Sequence, residues 1–339
     1  MLKDAYNRTI DYMRISITDR CNLRCIYCMP PGGIKFLSHE DILRYEEIAR
    51  VLRVAAAMGV RKVRITGGEP LMRKNVTHLI RMIKGIEGIS QLSLTTNGIL
   101  LERYAGELTE AGLDRVNVSL DSLKPDRYRQ ITRGGDLGAV LRGIEAAEKA
   151  GLTPIKINMV PIRGLNDDEV GELAKLTLAS PYQVRFIEFM PFVSEEIWNG
   201  EKFISSSEIQ SRIEKIGALH PAKMKKSGPA QYFRFEGAAG VVGFISPISN
   251  HFCAECNRLR LTADGKLRPC LFSETEIDLR PALRSGGSDE EIRRLIELSI
   301  AVKPKGHSMS MKEVFPSQDC SPVNMIGRTR RRPMSKIGG

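Results

Sequence analysis

Along the first 190 or so residues, short apolar runs of strand character alternate with longer stretches of helical periodicity. Strands are expected over about 13–18, 62–66, 91–95, 115–120, 154–160 and 183–190. They are rich in Val, Ile and Leu, as suits burial on both faces. Between them, apolar spacing predicts helices over about 40–58, 75–86, 100–111, 124–131, 137–150 and 167–179. Ser38 reads as the N-cap of the first helix and Gly59 as its stop. Six strand–helix units in succession predict a parallel α/β sheet built from right-handed crossovers. Periodicity does not separate an open doubly wound sheet from a curved partial barrel. Six units fall short of the eight that close a complete barrel.

Beyond Pro191 the pattern changes. A serine-capped helix is expected over 205–217, strands in QYFRFEG (231–237) and VVGFISPIS (241–249), and a tight hairpin at ADGK (263–266). A second capped helix follows over 288–304, and from Lys305 the chain is polar to its final Gly338-Gly339. Two regions are therefore expected, a parallel α/β region over 1–191 and a smaller α+β region over 192–339.

The polar residues of the first region gather at strand ends. Cys21–Cys28 follow the first strand, GGEP (67–70) the second and TTNG (95–98) the third. Ser119 and Asp121 end the fourth, Lys156 and Asn158 lie on the fifth, and Met190 ends the sixth. Parallel α/β folds bind ligands at the carboxyl ends of their strands, so these groups are expected to face one cavity.

Two cysteine sets carry the chemistry. Cys21, Cys25 and Cys28 are spaced C-x3-C-x2-C, with Tyr27 before the last. Three thiolates in eight residues can hold three irons of a four-iron, four-sulfur cluster and leave the fourth open to a small molecule. Zinc ribbons use paired C-x2-C units instead. Cys253, Cys256 and Cys270 are spaced C-x2-C-x13-C around the expected hairpin, with His251 nearby. On its own this second set suits zinc and iron–sulfur equally.

Composition narrows the partners. The chain has 339 residues, 42% of them hydrophobic and 27% charged, as in ordinary globular proteins. No apolar run reaches the roughly 20 residues that span a bilayer, and the N-terminal stretch lacks the apolar core of a secretory signal. A cytoplasmic location is expected, with no membrane partner. Seven cysteines, six in tight sets and Cys320 left over, argue for metal binding and against disulfides. The net charge of +11 favours an anionic partner, although part of it sits in RTRRR (328–332). Arg258 and Arg260 alternate in NRLRL and so share a strand face, and such guanidinium pairs grip phosphate oxygens in fork-like fashion. Lys156 interrupts an apolar run, where an unpaired cation is costly without a partner or ligand.

RISITDRCNLRCIYCMP (14–30) resembles the radical S-adenosylmethionine (SAM) superfamily. With GGEP, the second cysteine set, the arginine pair and the Gly-Gly ending, nearly the whole chain resembles the GTP 3′,8-cyclase family of molybdenum cofactor biosynthesis. The resemblance implies a partial (β/α)6 TIM-type barrel, two [4Fe-4S] clusters, and a C-terminal tail reaching the active site. Cys21, Cys25 and Cys28 would hold one cluster, and Cys253, Cys256 and Cys270 the other, whose open iron receives the guanine base. Tyr27, Gly68, Ser119 and Met190 would bind SAM. Arg14, Arg64, Thr95, Lys156, Arg258 and Arg260 would contact GTP. It further implies an external one-electron donor, a homodimer and no nucleic-acid partner; no residue is assigned a proton-transfer role. Two rival readings remain. One is a radical SAM enzyme acting on a peptide, against which the arginine pair and Gly-Gly argue. The other is a basic zinc-ribbon protein binding nucleic acid.

Overall fold

The computed structural model describes residues 2–30, 32–192, 198–224, 228–307 and 334–337. Cys320, RTRRR (328–332) and Gly338-Gly339 lie outside the described residues. Six strands follow the expected order: β1 (Tyr12–Ser16), β2 (Lys62–Thr66), β3 (Gln91–Thr96), β4 (Arg115–Ser119), β5 (Lys156–Met159) and β6 (Gln183–Ile187). Their crossovers carry α1 (Tyr45–Met58), α2 (Val76–Lys84), α3 (Leu101–Glu110), α4 (Pro125–Thr132), α5 (Leu137–Lys149) and α6 (Val170–Ala179). Each strand pairs in parallel with the next.

The start of α1 differs from expectation. Ser38 does not cap it; its hydroxyl instead closes a turn by accepting from the Asp41 amide at 3.2 Å. The helix begins at Tyr45, where Glu47 reaches back to the Arg44 amide at 2.6 Å in a capping box. Gly59 does stop the helix, at φ 119°, a conformation that costs glycine little.

The C-terminal region adds α7 (Ser206–Ile213), β7 (Leu219–Pro221), β8 (Gln231–Phe235), β9 (Val241–Ile245), β10 (Arg258–Leu261), β11 (Lys266–Arg268), β12 (Ile277–Asp278), α8 (Arg280–Arg284) and α9 (Asp289–Ala301). Ser205 caps α7 and Ser288 caps α9 through their side chains, as expected. Instead of forming a sheet of their own, these strands join both edges of the first. β10 pairs in parallel with β1, and β9 in parallel with β6. The result is one sheet in the order β12-β11-β10-β1-β2-β3-β4-β5-β6-β9-β8-β7. Its eight central strands are all parallel, and antiparallel β11 and β8 flank them. A partial barrel of six units is thereby widened by two strands from the far half of the chain.

The helices pack outside. The outward residues of the strands and the buried faces of the helices form one continuous core, in which Ile15, Val63, Leu92, Val116, Ile157 and Val184 are almost wholly excluded from solvent. Most inward residues are polar, and they make the site.

Candidate active site

Every one of the eight parallel strands contributes a wall residue to a single cavity of about 280 Å³. Cys21, Cys25 and Cys28 line it at one place, and Cys253, Cys256 and Cys270 at another. Tyr27, Gly68, Ser119 and Met190 line it as well, with Arg14, Arg64, Thr95, Arg258 and Arg260. Among the candidate cluster, SAM and GTP residues, Lys156 is the exception: it is buried beneath the cavity, one inward position below Asn158 on β5.

The first cysteine loop leaves β1 and is braced by the turn after β2. Gly68 donates its amide to the Thr18 carbonyl at 2.7 Å, and Glu69 to the Arg20 carbonyl at 2.8 Å. A Cβ on Gly68 would lie 2.2 Å from the Arg20 oxygen, so only glycine permits this backbone pairing. Glu69 turns inward and accepts from the Leu71 amide, the Thr96 hydroxyl and the Asn97 amide at 3.0, 2.8 and 2.7 Å. Burial lifts its carboxyl to about 7 despite these donors. GGEP thus ties the cysteine loop, β2 and β3 together at the cavity rim.

Tyr27 is locked from the other side. Its hydroxyl donates to Asp121 Oδ2 at 2.5 Å, and Asp121 Oδ1 accepts from the Val160 amide at 2.9 Å. Burial raises the Asp121 carboxyl to about 6, and burial together with Asp121 raises the Tyr27 phenol. Met190 sits over a small aromatic support in which Trp198 donates to the Phe189 carbonyl at 2.9 Å.

The floor is cationic. Arg14 is the register partner of both Arg260 and Arg64. Burial, with the neighbouring arginines, pulls Arg14 and Arg64 down to about 10 and Arg260 to about 9. The Nε atoms of Arg14 and Arg260 and the Thr95 hydroxyl are buried without a hydrogen-bond partner among the described residues. Buried polar groups are rarely left unpaired, so this cluster is built to receive an acceptor-rich anion. Lys156 adds charge below, and burial, with Arg185, Arg115 and Arg64, lowers its ammonium to about 6.

Around the second cysteine set, two buried cations tie the backbone together. Arg8, ion-paired to Asp4 at 2.6 Å, donates to the Cys253 carbonyl at 2.8 Å and to Pro304 and Lys305 at 2.7 and 2.9 Å. Lys303 reaches Cys256 Sγ at 3.5 Å. Burial raises the Cys256 thiol, but Arg258 and Lys303 outweigh it and bring it to about 6. His251, Cys253 and His307 place their ligand atoms within 4.8 Å of one another.

Several site residues escaped the sequence reading. Arg185 lines the cavity and donates to Asn158 and Asn117 at 2.9 Å each; a charge inside the apolar run of β6 was the available signal. Glu188 accepts from the amides of Ser206, Ile248 and Ser249, and so ties the end of β6 to the loop before the second cysteines. Arg8 and Lys303 gave no local signal, because their partners are distant in sequence.

The donor sets fit iron–sulfur clusters. None of the six cysteines is in a disulfide, and all are partly buried and line one cavity. Burial raises Cys25 strongly and Cys21 to about 11, so these thiols ionise readily only when a metal neutralises them.

Comparison with known proteins agrees. Residues 15–177 match the model of the radical SAM superfamily, and 182–309 match that described as Molybdenum Cofactor Synthesis C. The fold resembles Streptococcus suis SuiB bound to S-adenosylmethionine, with a TM-score of 0.56 at 14% identity over 80% of this chain. The match covers 63% of SuiB, so this chain spans less than two thirds of its length. It also resembles anSMEcpe with bound AdoMet, with a TM-score of 0.54 at 14% identity over 88% of this chain and 79% of that one. A cysteine triad on a parallel partial barrel and the superfamily match define a radical SAM protein, a class that implies a [4Fe-4S] cluster and SAM. The GTP 3′,8-cyclase of Thermodesulfovibrio yellowstonii is 53% identical over the full length of both chains, and that of Moorella thermoacetica 49% identical over the full length of both. The chain belongs to the GTP 3′,8-cyclase family.

Proposed function

We propose that this chain converts GTP into (8S)-3′,8-cyclo-7,8-dihydroguanosine 5′-triphosphate by radical SAM chemistry, the first step of molybdenum cofactor biosynthesis. The observation that carries this reading is the shared cavity: both cysteine triads open into it above an unpaired arginine floor.

Cys21, Cys25 and Cys28 would hold the SAM-binding cluster. Cys253, Cys256 and Cys270 would hold a second, leaving one iron for the guanine base. When bound, the first cluster and SAM supply one-electron cleavage of SAM and thereby hydrogen abstraction from C3′ of GTP. The protein positions the reactants and excludes water. Gly68 brings its backbone against the cysteine loop, where its turn would meet the amino group of SAM. Tyr27, held by Asp121, forms part of the SAM wall with Ser119 and Met190. Arg14, Arg64, Arg258 and Arg260 would grip the triphosphate through charge-assisted bonds, and the Thr95 hydroxyl has a free donor for the substrate. Lys156 adds positive charge beneath the floor. These contacts would hold the nucleotide in the cavity that both triads line.

An external one-electron carrier would reduce the first cluster. By family resemblance the enzyme acts as a cytoplasmic homodimer. Among the described residues no helix is long and apolar enough to cross a membrane.

The His251–Cys253–His307 grouping favours a second reading of the C-terminal triad, as a zinc site. Metal analysis separates the two: about eight irons per chain supports two clusters, while about four irons and one zinc supports this alternative. Function is tested by anaerobic reconstitution followed by incubation with SAM, dithionite and each nucleoside triphosphate. Formation of 5′-deoxyadenosine only with GTP is expected. None with GTP, in protein carrying both clusters, would overturn the proposal.

A further inference from the structure

Lys303 follows α9, 3% exposed, behind the cavity wall. Its Nζ has three acceptors: Cys256 Sγ at 3.5 Å, the Arg258 carbonyl at 2.8 Å and the Pro269 carbonyl at 2.6 Å. Two of these are carbonyls, which cannot donate. When Cys256 ligates a metal as a thiolate it cannot donate either, and a neutral amine has only two N–H groups, so satisfying all three then takes the ammonium form. The same three contacts reach the second and third cysteines of the motif: Cys256 itself, the strand β10 that leaves it, and the residue preceding Cys270.

Its charge differs in kind from that of its neighbours. Arg258 and Arg260 face the cavity, where a polyphosphate would neutralise them. Arg8 is already neutralised by Asp4 at 2.6 Å. Lys303 faces a cysteine sulfur and two carbonyls, and it is shielded from any ligand in the cavity by the wall it supports. A fixed positive charge and an N–H donor at a ligating sulfur both favour the reduced, more negative state of an iron–sulfur cluster.

We infer that Lys303 is a positioning residue that holds the Cys256–Cys270 ligand frame and sets the reduction potential of the second cluster, raising it independently of bound substrate. This deepens, and rests on, the two-cluster reading.

The test uses the full-length chain with Cys21, Cys25 and Cys28 replaced by serine, so that only the second cluster is loaded. Parent, Lys303→Met, Lys303→Gln and Lys303→Arg proteins are reconstituted anaerobically, assayed for iron and zinc, and titrated redox-potentiometrically by electron paramagnetic resonance. The expected result is a midpoint shifted to more negative values in the Met and Gln variants, and a smaller shift in Arg. Loss of the cluster from Met and Gln but not from Arg also supports the role of the charge. An unchanged or more positive midpoint in a loaded uncharged variant overturns the inference, as does loss of the cluster from all three. Zinc in place of iron in the parent overturns the two-cluster reading itself, and with it this role. A purely structural lysine would lower the melting temperature of the variants without moving the midpoint.

Discussion

Arg14 and Arg260 stand side by side as register partners on parallel strands β1 and β10, and each leaves a buried Nε without a partner among the described residues. Two like charges in such a position are unfavourable until an anion joins them. Arg14→Met and Arg260→Met should therefore raise KM for GTP about 10- to 100-fold, as expected for a charged hydrogen bond of about 1.5–3 kcal/mol. The nucleotide-free variants should melt no lower than the parent. Thermal shift with and without GTP, alongside initial rates, checks both halves. A lower melting temperature with unchanged KM would mean that the pair is structural.

Lys156 should make nucleotide binding depend on pH. Its ammonium is lowered to about 6 by burial and by Arg185, Arg115 and Arg64, whereas in the unfolded chain it keeps its proton to about 10.5. Between these values the unfolded state binds more protons, so this residue's contribution to stability rises with pH from about 6 to 10.5. A bound triphosphate favours the charged form, so binding near pH 7.5 should take up a proton, and affinity should weaken as pH rises. Calorimetry in two buffers of different ionisation enthalpy measures the uptake, and Lys156→Met should abolish most of it.

Gly68→Ala tests the brace beneath the first triad. The added methyl would lie 2.2 Å from the Arg20 carbonyl oxygen, a backbone atom that cannot swing aside. Overpacking of this kind costs about 1–3 kcal/mol and should displace the cysteine loop. Iron content should fall by about half in reconstituted protein, as one of two clusters is lost. Full iron loading with normal SAM cleavage would show that the loop tolerates the shift.

Tyr27→Phe keeps the ring but removes the hydroxyl donated to Asp121. The Asp121 carboxyl then remains buried with its Val160 donor, one partner short. A loss of about 1–3 kcal/mol in stability is expected, together with a higher KM for SAM and little change in KM for GTP. Denaturant unfolding and steady-state kinetics check these separately, and an equal rise in both KM values would argue for general disorder of the cavity.

The sequence by itself determined the six βα units, the two ligand triads and most of the cavity wall. These follow from local pattern: apolar periodicity sets strands and helices, cysteine spacing sets a ligand frame, and strand ends in a parallel sheet must converge. Local pattern also marked Arg258 and Arg260 as sharing one strand face. Only the tertiary structure decided where that face points. β10 could have joined a sheet of its own, and it pairs with β1 because that edge was open and its apolar outward residues complete the same core. The same long-range pairing brings Arg260 beside Arg14, Lys303 to Cys256 and Arg8 to Cys253. These contacts join residues far apart in sequence, so no window along the chain could register them. Conversely, Ser38 satisfied the rule for an N-cap, yet the capping box of Arg44 and Glu47 took the helix start, reinforced by Arg284 from α8 donating to Glu47 at 2.9 Å. Spacing chose the chemistry; burial and strand pairing decided which charges would meet it.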